Sequence, residues 1–239
     1  MKYPRTWHFP YSPGHNADED DKVLVNTDRF EGMDLIYLEK MDGECTICSN
    51  DSCHARSEDS KMTPWRTYMA RMHGCFRHNI PDGMFVCGEC MYAIHSITYT
   101  SLPTCFFVFG IFYHDEWLRW EDVLYWADLL GLDTVPEICK STGVIHNMPI
   151  PNKSTFGPVC EGYVARNVES FSWDFFCFNV AKCVRKHHVQ TQEHWTKTWE
   201  PASFVEDPIT RMYNRLSCQN HQTKSSSFSG LLNAPVPTD

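Results

Sequence analysis

Residues 35–44, Leu35-Ile36-Tyr37-Leu38-Glu39-Lys40-Met41-Asp42-Gly43-Glu44, place a single lysine between an apolar run and an Asp-Gly pair. The apolar run predicts a β-strand, and Asp42-Gly43 predicts the tight turn that ends it. A lysine amine is protonated at its reference pKa, so it becomes a nucleophile only where its surroundings lower that pKa. The pattern Lys-x-Asp-Gly is short, and its meaning depends on the motifs that accompany it.

The amino-acid composition is that of a globular protein with a substantial core. The chain has 239 residues, of which 42% are hydrophobic and 14% are aromatic. That is sufficient for one large domain or two small ones. No stretch approaches the roughly 18 consecutive apolar residues of a membrane span, and the N-terminal region carries charges and prolines where a signal peptide carries an apolar segment. We therefore expect a soluble, cytoplasmic protein.

Charge is unevenly distributed along the chain. The formal net charge of −9 disfavours broad coating of nucleic acid, because phosphate neutralisation requires clustered lysine and arginine. One basic cluster exists nevertheless, and it comprises Lys182, Arg185, Lys186, His187 and His188. An acidic run covers 18–21, and the three arginines within 66–77 fit ordinary surface charge. This distribution suits a protein that binds a strand end or a few phosphates.

The chain contains twelve cysteines. Because it has no secretion signal and is longer than most disulfide scaffolds, reduced thiols are the favoured interpretation. The pairs Cys45-x-x-Cys48 and Cys87-x-x-Cys90 have the spacing of zinc ligands. We interpret them instead as buried thiols, because they fall on strands beside Lys40 and Glu89 and not on a separate knuckle.

Apolar patterns predict seven strands and two helices. The strands are expected at 34–40, 44–48, 52–57, 84–89, 105–112, 160–166 and 179–184, and the helices at 64–78 and 120–130. Gly131 is placed to end the second helix in the left-handed conformation. Strands interrupted by short helices indicate an α+β architecture. Residues 1–200 form the expected core domain, and 201–239 form an extension that ends in a mobile tail.

Four further motifs follow Lys40 in a fixed order. They are Gly88-Glu89, the strand Phe106-Phe107-Val108-Phe109, the segment Glu161-Gly162-Tyr163-Val164 and the segment Ala181-Lys182-Cys183-Val184-Arg185-Lys186. This order resembles the covalent nucleotidyltransferase superfamily, which comprises polynucleotide ligases and messenger-RNA capping enzymes. Its members attach a nucleoside monophosphate to the lysine of Lys-x-Asp-Gly.

The remaining sequence resembles one branch of that superfamily, the small single-domain RNA ligases of phages and bacteria. The segments that carry this resemblance are 3–14, 54–57, 91–97, 188–191 and 194–195. The resemblance implies a nucleotidyltransferase domain of two antiparallel sheets with flanking helices and a nucleotide cleft between them. We expect no OB-fold of the kind that DNA ligases and capping enzymes carry, since only about fifty residues follow Lys186.

The resemblance also implies a reaction. Lys40 attacks the α-phosphate of ATP and forms a lysyl-AMP, the AMP moves to an RNA 5′-phosphate, and a 3′-hydroxyl displaces it. Such transfer depends on alignment and charge neutralisation. By the matching motifs, the resemblance implies that Glu39 contacts the adenine edge, that Arg56 and Glu89 contact the ribose and phosphate side, and that Phe109 stacks on the purine. It implies that Glu161 helps to hold a divalent metal, and that Lys182 binds the α-phosphate with Arg185 or Lys186 assisting. Magnesium is the expected metal, because carboxylates and phosphates suit a hard cation.

The charges assigned to the site predict a nucleophilic Lys40. Lys182, Arg185 and a metal would each lower its pKa, whereas Glu39 alone would raise it. The last motif of the superfamily is commonly Lys-x-Lys. Here Lys182 is followed by Arg185 and Lys186, so the identity of the second phosphate contact stays open.

The implied function is ATP-dependent sealing of 5′-phosphate and 3′-hydroxyl RNA ends in RNA repair. We expect a monomer in the cytoplasm of a bacterial or phage-infected cell, with an end-healing kinase or phosphatase as the partner that prepares the ends. A DNA ligase or a capping-type nucleotidyltransferase would use the same chemistry. A zinc-stabilised nucleic-acid-binding protein would instead explain the cysteine pairs without catalysis, and metal analysis together with labelled ATP would separate these functions.

Overall fold

The computed structural model describes residues 1–15, 21–57, 61–186 and 199–218, and within these ranges it contains two β-sheets and four α-helices, together with three short 3-10 helices. The strands are β1 (Trp7–His8), β2 (Asp34–Lys40), β3 (Glu44–Cys48), β4 (Cys53–Ala55), β5 (Phe85–Cys90), β6 (Phe106–Tyr113), β7 (Glu116–Trp117), β8 (Asp133–Thr134), β9 (Glu137–Thr142), β10 (Gly162–Asn167), β11 (Phe171–Ser172) and β12 (Val180–Val184). The helices are α1 (Pro64–Phe76), α2 (Trp120–Leu129), α3 (Phe176–Asn179) and α4 (208–218). None of the helices in the described ranges is long and apolar enough to span a membrane.

The five-stranded sheet has the strand order β1-β12-β10-β2-β9. Its ladders are antiparallel except for the short edge pairing of β1 with β12, which is parallel. Both faces of β2 are covered, which explains its continuous apolar sequence. Ile36 and Leu38 pack into the large core that the two sheets share, and Leu35 and Tyr37 pack on the outer face of the sheet. Lys40 is therefore the last residue of a strand in which residues 35–39 are buried.

The seven-stranded sheet has the order β11-β7-β6-β5-β3-β4, and β8 pairs with β6 in parallel. The register of β5 against β6 shifts between two neighbouring pairs, because Cys87 pairs with Gly110 and Gly88 pairs with Val108. Phe109 is the extra residue in this ladder and forms a β-bulge. Bulges re-aim a side chain and are common beside active sites.

Helix α1 begins with strong local signals. The Thr63 hydroxyl accepts a hydrogen bond from the Arg66 backbone N–H at 3.5 Å, and Pro64 occupies the first turn, where its missing N–H costs nothing. The buried face of the helix consists of Trp65, Met69, Met72, His73 and Phe76. Burying one such large apolar side chain stabilises the fold by roughly 1.5–3 kcal/mol. The helix is thus held both by its cap and by its packing on the sheet.

The C-terminal part of the described chain packs on the same core. Helix α2 ends at Gly131 with a φ of +70°, as the sequence predicts, and leads into β8. Arg215 of α4 forms an ion pair with Asp133 at 2.8 Å, and Arg211 forms a second one with the same carboxylate at 3.4 Å. Residues 219–239, which contain the predicted mobile tail, lie outside the described residues.

The α+β prediction is confirmed, and the seven predicted strands and two predicted helices are present with ends shifted by at most two residues. The additional strands β1, β7, β8 and β11 are two residues long and form through pairing with neighbours, so they leave little local signal. The apolar pattern of the sequence also did not predict β9. Its side chains are half-buried or exposed, because it is an edge strand without a clear apolar alternation.

We predict opposite effects for two glycine-to-alanine substitutions. In Gly162→Ala the new Cβ would lie 2.1 Å from the backbone oxygen of Cys183, so the ladder must shift and we expect a loss of about 1–3 kcal/mol or more. In Gly74→Ala no atom lies within 4 Å of the new Cβ, and a helix-interior alanine should stabilise by about 0.5–1 kcal/mol. Urea unfolding measures both, and a Gly162→Ala protein as stable as the parent would contradict this account of the β10–β12 contact.

Candidate active site

A cleft of about 320 Å³ is lined by residues of both sheets and of the N-terminal segment. This volume lies in the range of about 300–1,000 Å³ that is usual for small-molecule sites. The five-stranded sheet contributes Leu38, Glu39, Lys40, Val164, Arg166, Val180 and Lys182. The seven-stranded sheet and the residues next to it contribute Cys45, Arg56, Glu89, Phe109 and Gly110, and the N-terminal segment contributes Tyr3, Arg5 and Thr6. Six of the nine predicted site residues therefore line one cavity.

Lys40 and Glu161 form an ion pair at one end of the cleft. The distance from Lys40 Nζ to Glu161 Oε2 is 2.8 Å, and the side chains are 26% and 3% exposed. Lys40 is the last residue of β2 and lies opposite Gly162 in the ladder, so the register places Glu161 directly beside it. The predicted nucleophile and the predicted metal ligand are thus in contact with each other.

The loop after Lys40 is fixed by Asp42. One oxygen of its carboxylate, Oδ2, accepts hydrogen bonds from the Ser96 backbone N–H, the Ser96 hydroxyl and the Ile97 backbone N–H, at 2.7–2.8 Å. The Asp42 backbone N–H donates to the Tyr99 hydroxyl at 3.0 Å. The aspartate of Lys-x-Asp-Gly therefore attaches the turn to the segment 96–99 and keeps Lys40 in place.

The electrostatic prediction for Lys40 is wrong in sign. Burial lowers the pKa of Lys40, but the surrounding carboxylates raise it by more, so the pKa lies above that of an ordinary lysine. Those carboxylates are Glu161, Glu89 and Asp42. Glu39 is not among them, because alternation along β2 directs its side chain to the opposite face of the sheet. In this structure Lys40 is held as an ammonium by its ion pair.

Lys182 lies on the same face of the sheet as Lys40. Gly162 pairs with Lys40, and Val164, two residues further along β10, pairs with Lys182. The two lysines are therefore offset by about 7 Å along the strands and by about 10 Å across them, distances that long side chains can bridge. Burial, followed by the positive charge of Lys40, lowers the pKa of Lys182 to about 8. The lysine is still mostly charged at neutral pH, and an anion beside it would raise its pKa again.

Glu89 and Arg56 lie across the cleft from Lys40. Glu89 Oε1 accepts a hydrogen bond from the Gly43 backbone N–H at 3.2 Å. Burial raises the pKa of Glu89 to about 8, although Lys40 opposes this shift. Arg56 Nε donates to the Tyr3 backbone oxygen at 3.0 Å, which attaches the N-terminal segment to the wall of the cleft.

Glu39 borders the cleft near the end of β2. Its side chain lies on the outer face, where Oε2 accepts a hydrogen bond from the Thr155 backbone N–H at 3.0 Å. The other carboxylate oxygen, Oε1, is buried and has no hydrogen-bond partner within the described residues. A contact of Glu39 with a nucleotide in the cleft would thus involve backbone atoms.

Phe109 and Tyr3 narrow the cleft away from Lys40. The bulge in β6 directs Phe109 to this position, and its ring is 5.0 Å from that of Tyr3 in an edge-on arrangement. The Tyr3 ring also meets Trp117 and Phe176 edge-on, each at 5.2 Å. These rings form an aromatic slot in which a flat, apolar ligand surface can pack. Tyr3 was not singled out from the sequence, because a tyrosine near the N-terminus carries no sign of what it will contact.

Arg166 is a second cleft residue that sequence reasoning missed. It is 4% exposed, and its guanidinium donates to the backbone oxygens of Asn167 and Leu118 at 3.1 and 2.6 Å. The rings of Trp120 and Phe171 lie 5.6 Å away. No carboxylate of the described chain forms an ion pair with it, and burial lowers its pKa to about 10. One sequence signal could have identified Arg166. It is a charged residue at a strand position where alternation predicts a buried side chain.

Three of the assigned residues do not line the cavity. Glu161 contacts Lys40 without lining the cavity, and Arg185 and Lys186, which follow the end of β12, do not line it either. Arg185 is half-buried, and its Nε and Nη2 have no hydrogen-bond partner in the described structure. His187 and His188, and the resemblance segments 188–191 and 194–195, lie outside the described residues.

The cysteine pairs do not meet in a single cluster. Cys45 lines the cleft, whereas Cys48, three residues further along β3, is buried and donates to Cys53 Sγ at 3.3 Å. Cys87 and Cys90 are both buried. Within the described ranges no group of three or more His, Cys, Asp or Glu side chains is arranged to hold a metal. The interpretation of these residues as buried thiols stays a prediction.

Comparison with known proteins adds a family to this geometry. A family model described as RNA ligase matches residues 33–206, which is more than half of the chain. No curated protein sequence matches the chain. The matched region begins just before β2 and includes each of the predicted site residues.

Solved structures of a Naegleria gruberi RNA ligase also match. A variant of that ligase with ATP and manganese is 14% identical over 69% of this chain and 53% of its own, with a TM-score of 0.48. The same ligase with pyrophosphate is 16% identical over 66% of this chain and 51% of its own, also with a TM-score of 0.48. The chain thus spans about half the length of these solved structures.

Proposed function

Since the chain belongs to the RNA ligase family, we propose that it is an ATP-dependent RNA ligase that seals 5′-phosphate and 3′-hydroxyl ends through an AMP adduct on Lys40. The observation that carries this proposal is the convergence of Lys40, Glu161 and Lys182 at one end of the cleft. In a Lys-x-Asp-Gly turn fixed by Asp42, these groups supply a nucleophile, a carboxylate and a phosphate-binding cation. The partners of the protein on this proposal are the two RNA ends and the enzyme that prepares them.

The first step is the attack of Lys40 Nζ on the α-phosphorus of ATP. A nitrogen–phosphorus bond forms, the bond from that phosphorus to the bridging oxygen breaks, and pyrophosphate leaves with the bonding electrons. Lys40 Nζ donates a hydrogen bond to Glu161 Oε2 at 2.8 Å, so on this proposal its extra proton passes to that carboxylate before the attack. Lys182 approaches the same phosphate with a charge that is already desolvated, so it stabilises the negative charge that grows in the transition state.

The remaining cleft residues position the nucleoside. On β10, Arg166 lies four residues beyond Gly162, so it is about 13 Å along the strand from the level of Lys40. A nucleotide attached to Lys40 would extend toward Arg166, with its base in the slot beside Phe109 and Tyr3. We assign the ribose to Arg56 and Glu89, and the adenine edge to the main chain of Glu39.

The carboxylates near Lys40 fit a divalent metal of the magnesium type. Glu161 and Glu89 both act on Lys40 and on each other through their charges. Two carboxylates suit Mg²⁺, which takes its other ligands from phosphate oxygens and water, and a cage of three protein ligands is not required. When bound there, such a cation supplies positive charge that neutralises the phosphates and Glu161.

The covalent adduct is the first test. Incubation with ATP and magnesium should add the mass of one adenylyl group to the protein, and Lys40→Ala should abolish this gain, because no other described lysine is placed at the cleft end of β2. Lys140→Ala is the matched control, since Lys140 is an exposed lysine on the neighbouring strand β9. Intact-protein mass spectrometry measures the gain. An adduct that persists in Lys40→Ala would rule out this nucleophile.

The second test separates adenylation from sealing. Lys182→Ala and Glu161→Ala should each slow adduct formation by on the order of a hundredfold or more. Lys182→Ala removes positive charge at the reacting phosphate, and Glu161→Ala removes the carboxylate that pairs with Lys40 and would hold the metal. Added magnesium should restore the Glu161→Ala rate only in part. Lys186→Ala is the matched control, because Lys186 belongs to the same motif but lies outside the cleft. Rates on ATP and on pre-adenylated RNA are measured separately, and normal adduct formation by both cleft variants would refute the geometry.

A further inference from the structure

An aromatic patch is formed by four side chains that contact one another outside the cleft lining. It consists of Trp7, Arg29, Phe175 and Phe178. Phe175 is 58% exposed and Phe178 is 44% exposed, with their ring centroids 6.0 Å apart. The Arg29 guanidinium carbon lies 4.8 Å from the centre of the Phe178 ring and 5.8 Å from that of Trp7. Two exposed phenylalanines beside a planar cation have the character of a binding surface.

The arginine of the patch is held in place without neutralisation of its charge. Arg29 Nη1 donates to the backbone oxygen of Cys177 at 3.0 Å. Among the described residues it forms no ion pair with a carboxylate, although Asp28 is its neighbour in sequence. The Asp28 carboxylate instead accepts a hydrogen bond from Asn26 at 2.8 Å. Arg29 is thus a pre-positioned planar donor that forms no ion pair within the described residues.

Two residues of the patch are direct chain neighbours of residues that line the proposed nucleotide cleft. Thr6 lines the cleft, and the next residue, Trp7, belongs to the outer face of the edge strand β1. Phe176 lines the cleft, and the residue before it, Phe175, belongs to the patch. Strand β12 then runs from this turn to Lys182. One edge of the five-stranded sheet therefore separates the phosphate-binding lysine from the patch.

We propose that the aromatic patch binds unpaired bases of the RNA strand whose 5′-phosphate enters the cleft. Bases stack on aromatic rings and on arginine planes with little regard to sequence. This proposal rests on the proposed function, because the ligase reaction is what brings an RNA 5′ end to Lys182.

The charges near the patch favour contact with bases over contact with phosphates. Asp28 and Asp174 adjoin Arg29 and Phe175 in the chain, and the net charge of the whole protein is −9. A surface that follows a phosphate backbone needs several cations in a row. The patch has one cation among three rings, which is the composition of a stacking site. Its contribution to RNA affinity should therefore depend little on salt.

The test is RNA binding by a double variant, Phe175→Ser with Phe178→Ser. The probe is a fluorescent single-stranded RNA of about eight nucleotides with a 5′-phosphate, and the measurement is its anisotropy. Loss of two stacking contacts should weaken binding by tenfold or more, since each stacked base contributes about 1–3 kcal/mol by alanine substitution. The ratio of parent to variant affinity should be the same at about 50 and about 200 mM salt, because stacking releases no counterions.

Two further variants make the result specific. Tyr125→Ser removes a 63% exposed aromatic ring from α2 and should leave RNA affinity unchanged. Arg29→Lys keeps the charge but removes the planar group, so it should lose part of the RNA affinity. This variant tests the patch independently if the double variant folds poorly. Equal binding by the parent and both patch variants would overturn the proposal and leave the surface to another partner, such as a protein. An equal loss in Tyr125→Ser would overturn it as well.

A failure of this proposal is distinguishable from a failure of the proposed function. The patch variants should form the Lys40 adduct with ATP at the parent rate, and they should seal a pre-adenylated mononucleotide donor normally, because neither reaction needs bases outside the cleft. Only longer donors should show a raised KM. Parent protein that binds RNA through the patch but forms no adduct would refute the ligase mechanism alone.

Discussion

The ion pair between Lys40 and Glu161 is the interaction on which the geometry of the cleft depends. It connects the last residue of β2 to the residue that precedes β10, and the register of these strands places Gly162 opposite Lys40. Glycine is required there, because the backbone oxygen of Cys183 on the next strand occupies the space of a Cβ. Removing one partner from a buried pair costs about 3–5 kcal/mol, since the other charge is left uncompensated.

The second sheet completes the cleft beside this ion pair. The turn after Lys40 leads directly into β3, so the two sheets meet at Lys40, and Asp42 fixes the turn from the side of segment 96–99. Glu89 and the bulged Phe109 then face the five-stranded sheet across the cleft. The positive groups Lys182 and Arg166 lie on the opposite wall. An anionic, elongated ligand with one flat end matches this distribution of charges and rings.

The sequence predicts most of the fold because its strands carry strong local signals. β2 is a continuous apolar run that ends at a turn, and helix α2 ends just before Gly131, which adopts the left-handed conformation that the sequence predicts. Lys40, Glu89 and Phe109 were found from motif order, and the cleft contains all three. Local sequence patterns do not determine the register in which strands pair. The bulge at Phe109 and the approach of Glu161 to Lys40 arise from how strands pair. For that reason the predicted direction of the Lys40 pKa shift was wrong, and Tyr3 and Arg166 were not identified as cleft residues.

The most direct test of this account is the titration of Lys40 in the free protein. Lysine labelled with carbon-13 at Cε reports the charge of each amine by NMR, and the Lys40 signal is identified by its loss in Lys40→Arg. The account predicts a Lys40 pKa above that of an ordinary lysine, because Glu161 and its neighbouring carboxylates hold the proton, and it predicts a fall in that pKa in Glu161→Gln. An ordinary or depressed pKa that does not change in Glu161→Gln would contradict it.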